Sequence, residues 1–295
     1  MQKKIAVSMI MGFVSGVPLL LTITVLQAWL TEEGISKATI GLFALVGLPY
    51  SIKFLWAPIF DRYVISSLGR RRGWLLLIQV TLIISIISLG SANPAINAYN
   101  VALLSLLVTF FSASQDIIID AYRRESLNED EQTIGASAYV LGYRVGALAA
   151  GAGGLILADY MTYQTVYMIM AGIMIIGLIT TLYADEPLSE SKPKTFLEAV
   201  RDPFIEFFKR YSDNIKKNYS VPIYILLFIL LYKVGDTMAH SLSTNFYLDI
   251  GFSKTEIGTS SWNCGLVAET LSAPPSKVCG LSVASVNPVS IEIRS

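Results

Sequence analysis

The feature that most constrains this chain is the recurrence of apolar runs about twenty residues long. An α-helix of about 20 such residues crosses a hydrocarbon layer of roughly 30 Å, and it can do so because its backbone hydrogen bonds are all internal. Seven runs qualify: Ile5 to Leu30, Thr39 to Phe60, Trp74 to Leu89, Tyr99 to Ala121, Ile134 to Ala158, Val166 to Ala184 and Val221 to Tyr247. Composition agrees, with 53% hydrophobic residues, 15% charged and a mean hydropathy of +0.56, where a soluble domain carries about 25% charged residues. The expectation is an all-α, multi-spanning membrane protein whose partner is the lipid bilayer. The first run is not read as a cleavable signal, because its apolar core exceeds the usual 7 to 15 or so residues, Pro18 interrupts it and further spans follow at once.

The formal net charge is zero, which gives no pull toward nucleic acid, so position matters more than balance. Lys3 and Lys4, then Arg62 and Arg70 to Arg72, then Arg123 and Arg124, then Lys192, Lys194, Arg201, Lys209, Arg210, Lys216 and Lys217 all fall in segments on one side. Lys37 and Lys254 fall on the other. The positive-inside rule then puts the N-terminus in the cytoplasm of a multi-pass inner-membrane protein. Cys264, Cys279 and a lone histidine cannot fill a plausible metal site, so no metal or cofactor is expected.

Residues 1–184 read as a six-helix bundle and 185–220 as a cytoplasmic connection. Phe196, Leu197, Val200, Phe204, Phe207 and Phe208 recur there at helical spacing among basic residues. That pattern fits an amphipathic helix lying on the membrane or one packed on the protein itself. Residues 221–258 carry the seventh span. The stretch from Gly34 to Gly41 (GISKATIG) matches that from Gly251 to Gly258 (GFSKTEIG), as parallel repeats would give. The repeat then fails: residues 259–295 hold Pro274 and Pro275 and no spanning run. The expectation is a truncated second bundle ending in a non-native, disordered tail, with a shifted reading frame near Thr259; a genuine short extramembrane tail is the alternative.

Ionisable residues within spans are costly unless paired or hydrated, so each is a candidate site. Asp116 and Asp120 lie on one face of the fourth span, where Asp120 can pair with Arg123 or Arg124. Asp116, a turn deeper, is expected to pair with Arg144 of the fifth span, either structurally or as a proton-coupling switch. Lys233, Asp236 and His240 form one stripe of the seventh span, lining a cavity or filling a helix interface. Lys53 can snorkel to the surface. Gln27 and Trp29 can bond to and stack on sugar rings, or Trp29 can anchor the interface. Gly142, Gly146, Gly151, Gly153 and Gly154 give the fifth span a small face for close packing, and Gly12, Gly16 and Pro18 allow the first to bend.

Several ordered blocks make a resemblance specific: GFVSGVPLLLTITVLQAWL, LVGLPYSIKFLWAPIFDRY, GRRRGWLLLIQ, FSASQDIIIDAYR and VLGYRVG. Over roughly residues 10 to 260 the chain resembles the AmpG muropeptide permease family of the major facilitators. The resemblance implies a major-facilitator-type six-helix N-terminal bundle, a glycopeptide substrate, import of cell-wall fragments and protons as the coupling ion. In such carriers Asp61, Arg62, Gly69, Arg70, Arg71 and Arg72 would form a cytoplasmic gate between the second and third spans; without the family the arginines read as topogenic charge, which does not explain Asp61 at a helix end. No Walker loop, nucleophile with its base or paired metal ligands appears, so an enzyme is not expected. The rival to a carrier is a non-transporting remnant; a dimerising half-size carrier fits six-plus-one spans poorly.

Overall fold

A computed structural model describes residues 2–65 and 69–187, with positions 224, 227, 228 and 231. Apart from those four positions the seventh span, the connection from 188 to 220 with its expected amphipathic helix, and everything assigned to residues 232–295 lie outside the described residues. Six segments are long and apolar enough to cross a membrane: Gln2–Glu32, Lys37–Leu55, Arg70–Gly90, Ala98–Ser126, Glu129–Tyr160 and Tyr163–Tyr183. They answer to the first six runs of the sequence and, with no strand among the described residues, make an all-α membrane bundle.

The first span is not one uniform helix. Helix α1 (Gln2–Leu20) passes through a π-helical turn (Leu21–Val25) into α2 (Leu26–Glu32). Pro18 has no N–H for the Val14 carbonyl one turn back, and that carbonyl accepts from Gln115 Nε2 at 3.4 Å instead. In the wider turn that follows, the Leu21 carbonyl accepts from the Leu26 N–H and also from Tyr167 Oη at 3.2 Å. The expected flexibility at Pro18 is thus met by a defined re-bonding of the ladder.

The second span, expected as one run from Thr39 to Phe60, is broken. It comprises α3 (Lys37–Leu42), a 3₁₀ turn (Phe43–Gly47), α4 (Leu48–Ile52), a second 3₁₀ turn (Lys53–Leu55) and α5 (Ala57–Arg62). Pro49 and Pro58 each stand in the first turn of a helical piece, where their missing N–H costs nothing and where they forbid continuation from the piece before.

The remaining helices run past their apolar stretches because their caps lie in polar flanks. These are α6 (Arg70–Gly90), α7 (Ala98–Ser126), α8 (Glu129–Tyr160) and α9 (Tyr163–Tyr183). Asn97 caps α7 by accepting from Asn100 N at 3.0 Å, Asn128 and Glu131 form a capping box on α8, and Thr162 caps α9. Of these four, α6 starts without a cap from its own N-terminal residue, on Gly69 at φ 107°.

Two seams hold the bundle. One packs α6 against α7 and α9 around Leu82, Ile86, Val108, Tyr167 and Met174. The other joins α1 to α8 through glycines on both sides. A Cβ on Gly12 or Gly16 would run into the backbone carbonyls of Tyr139 and Tyr143, and one on Gly142 or Gly146 into those of Met9 and Phe13. The small face expected on the fifth span is therefore half of a reciprocal contact in which backbones touch directly. Leu77, Ile84, Ile87, Ile179 and Leu182 stay exposed on the outside, as lipid-facing residues do.

Candidate functional site

One end of the bundle collects the charged residues between the second and third spans. Gly69 turns the chain into α6, so Arg70, Arg71 and Arg72 form its first turn rather than a loop. Arg71 is buried. Its Nη1 donates to Asp61 Oδ1 at 2.7 Å and its Nε to Glu125 Oε2 at 3.0 Å, while its Nη2 holds Glu125 Oε1. Arg70 Nη2 joins at 3.1 Å from the same carboxylate. Arg72 turns the other way and donates to the carbonyls of Thr181 and Leu182 at 3.1 and 2.7 Å. Arg62 lies over the Tyr63 ring and outside this network.

Sequence reading found Asp61 and the arginines but missed two partners. Glu125, in the last turn of α7, clamps Arg70 and Arg71. Glu186, just past α9, accepts from the backbone N–H groups of Arg71 and Arg72 at 2.8 and 3.0 Å, and so caps α6. Its carboxylate fills the space beside Gly69 that a Cβ would occupy. Nearby, Lys3 bonds Asp185 at 2.7 Å and Lys4 donates to the Ser126 carbonyl at 2.7 Å. Among the described residues, Lys3, Lys4 and Arg70 to Arg72 thus meet Asp61, Glu125, Asp185 and Glu186 in one charged end.

The second cluster lies inside the bundle. Asp116 on α7 is 7% exposed, and its Oδ1 has no hydrogen-bond partner among the described residues. The Ser15 hydroxyl of α1 lies close by, between Asp116 and Tyr139, without closing a regular hydrogen bond to either. Tyr50 from α4 and Tyr139 and Tyr143 from α8 lie within electrostatic reach of the same carboxylate. Tyr50 Oη bonds Ser112 Oγ at 2.8 Å, and Trp56 Nε1 donates to Ser114 Oγ at 3.0 Å, pinning the broken second span to α7. Burial among phenols and hydroxyls leaves this carboxyl group largely out of water.

The expected pair of Asp116 with Arg144 is not what forms. Among the described residues Lys53, which is half-buried, is the cation within electrostatic reach of Asp116. Arg144 is exposed and lines a shallow concavity of about 360 Å³ with Ala136, Ser137, Val140 and Leu141. The cause is helical phase: Arg144 is two positions, about 200°, from both Gly142 and Gly146, which face α1. Asp120 pairs with Arg123 at 3.6 Å, as interface capping predicts.

Gln27 is buried, its Oε1 unpartnered among the described residues. Trp29 does not reach an open surface: it is buried and stacked on Tyr163 at 5.4 Å, beside Tyr167. That packing removes its ring from sugar stacking, while its Nε1 donates to Glu33 Oε1 at 3.3 Å. Lys233, Asp236 and His240 lie outside the described residues. No cluster of residues suited to a metal occurs among the described residues.

A family model described as Major Facilitator Superfamily matches residues 8–283. An anhydromuropeptide permease of Escherichia coli (strain K12) is 42% identical over 275 residues, which is 92% of this chain and 54% of the relative. A protein of Rickettsia felis named putative transporter AmpG 4 is 33% identical over 270 residues, 88% of this chain and 63% of its own. The chain spans about half the length of the first of these relatives. Their names are those of permeases and transporters, not of enzymes.

Proposed function

The chain belongs to the Major Facilitator Superfamily, and from that premise we propose that it serves the proton-coupled import of anhydromuropeptides, glycopeptide fragments of the cell wall, across the inner membrane. The observation that carries this reading is the 42% identity, over 92% of the chain, to a protein named for that substrate. In this reading the N-terminus and the charged end formed by Arg70, Arg71, Arg72, Asp61, Glu125 and Glu186 face the cytoplasm, in keeping with the positive-inside rule.

Alternating access in such carriers comes from two bundles rocking about a midplane site. The arginine cluster acts as the cytoplasmic gate, because Arg71 ties α5, α6 and α7 together through Asp61 and Glu125. Asp116 takes and releases the coupling proton. Arg144, exposed at mid-span, meets an acidic group of the substrate, with Gln27, Lys233, Asp236 and His240 as further candidates along the pathway.

Uptake of labelled anhydromuropeptide into vesicles holding this chain tests the reading. Accumulation driven by an inward proton gradient is expected, and uptake at the level of empty vesicles refutes it and favours a non-transporting remnant. In a transporting relative, Asp116→Asn should abolish dependence on the pH gradient; an unchanged dependence removes Asp116 from the mechanism.

A further inference from the structure

We propose that Lys53 is the charge partner of Asp116 and sets the acidity at which that carboxylate takes up its proton. The inference rests on reading Asp116 as the protonation site and adds a residue whose sequence position alone reads as snorkelling. Three observations carry it.

The first is registration. Tyr50 and Trp56 flank Lys53 at three residues on either side, and both are pinned to α7, on Ser112 and Ser114. Lys53 opens the 3₁₀ turn between those anchors, and that turn packs on α7. Asp116 follows Ser112 by one helical turn and shares its face. The second is the state of Asp116 itself, buried with Oδ1 lacking a hydrogen bond among the described residues. A carboxylate so enclosed needs a compensating charge to stay ionised.

The third is the set of described groups within electrostatic reach of it. Ser15 comes from α1, Tyr50 and Lys53 from the second span, Tyr139 and Tyr143 from α8, and Asp120 from its own helix. The phenols and the hydroxyl are uncharged near neutral pH, and Asp120 already faces Arg123. Among the described residues Lys53 is the one cation in that set. It does not close an ion pair with Asp116 among the described contacts, which matters mechanistically. A closed pair would hold the carboxylate ionised against any accessible proton, whereas a separated cation biases it and leaves it able to titrate. Protonation adds one H⁺ to a carboxylate oxygen, leaves the ammonium unchanged and converts an attracted pair into a neutral acid beside a lone cation.

The test uses infrared titration of the purified full chain in nanodiscs. The protonated-carboxyl band that disappears in Asp116→Asn reports Asp116 directly. With Lys53→Gln, and independently Lys53→Met, the midpoint of that band should move to higher pH by on the order of one unit. Lys53→Arg should leave it nearly in place. A thermal double-mutant cycle of Lys53→Gln with Asp116→Asn adds a second readout: the double variant should lose less melting temperature than the singles summed. An unmoved midpoint in both neutral variants, or strictly additive melting shifts, overturns the proposal. A moved midpoint with vesicle uptake at background leaves it standing and refutes the transport reading instead.

Discussion

Replacing Gly146 by alanine tests the seam on which the bundle is built. The new Cβ would lie more than ~1 Å inside ordinary contact with the Phe13 carbonyl oxygen, ordinary contact beginning near 3.4 Å. That oxygen belongs to the backbone, so no side-chain rotation relieves the overlap and α1 must move off α8. A gap of about 0.5 to 1 Å forfeits roughly a quarter to a half of each dispersion contact it opens, and Met9, Gly12, Phe13 and Gly16 all share the seam. The cost should therefore approach the upper end of the about 1–3 kcal/mol typical of overpacking. At roughly 2–4 °C per kcal/mol for a domain of this size, the midpoint should fall by about 6–12 °C. Thermal unfolding of the detergent-purified protein, followed by loss of the monodisperse peak, reads this out. Gly153→Ala on the same helix is the control, because a Cβ there meets nothing within 4 Å; it should be neutral or gain up to about 1 kcal/mol from helix propensity. A midpoint for Gly146→Ala within about 1 °C of the parent, or an equal fall in the control, would refute the account of the seam.

Other consequences can be measured in the same way. Gly69→Ala should destabilise by about 1–3 kcal/mol, since Gly69 sits at φ 107° and its missing Cβ makes room for Glu186; an unchanged melting curve would contradict this. Arg71→Lys keeps the charge but cannot span Asp61 and Glu125 with a planar fork, so uptake by a transporting relative should fall sharply with membrane levels of the protein kept. Trp29→Ala should cost about 3–5 kcal/mol by emptying the space against Tyr163 and Tyr167, visible as a lower melting temperature. Lys3 holds the exposed Asp185 carboxyl below its usual range. A depressed carboxylate contributes stability above its unfolded value of about 3.9 and loses it on acidification. Lys3→Ala and the parent should thus differ slightly at neutral pH, converge as pH falls below that value, and converge in high salt as well; a difference that grows with acid would be the wrong sign.

Much of the fold was legible because spanning length is a property of composition over a window. The first six apolar runs became six spans, and the pairing of Asp120 with Arg123 followed from spacing along one helix. What was not legible depended on phase or on partners distant in the chain. Arg144 was matched to Asp116 by depth, yet depth fixes only one coordinate, and the glycines of α8 turn that arginine away. Pro49 and Pro58 carried a readable signal that the second span is segmented, and with it that Tyr50, Lys53 and Trp56 could share a face. Nothing in the local sequence singles out Glu125 or Glu186. Only the folded chain brings them to Arg71 from 54 residues away and to the α6 N-terminus from 115.

The π-turn at Leu21–Val25 makes the first span a shaft with two keyed ends. Below it, Gly12 and Gly16 mesh with α8; beyond it, Trp29 meshes with Tyr163 and Tyr167 of α9. The turn holds one residue more than a regular helix would use, and that residue supplies about 100° of rotation between the two ends. Deleting a single residue from the turn would leave its apolar character and length nearly unaltered and still re-aim everything after it, swinging Trp29 away from its aromatic partners. Hydropathy would record almost no change. The first span therefore carries angular information that no count of apolar residues contains, and a relative with a gap or insertion at this turn should differ in which helix its outer end engages.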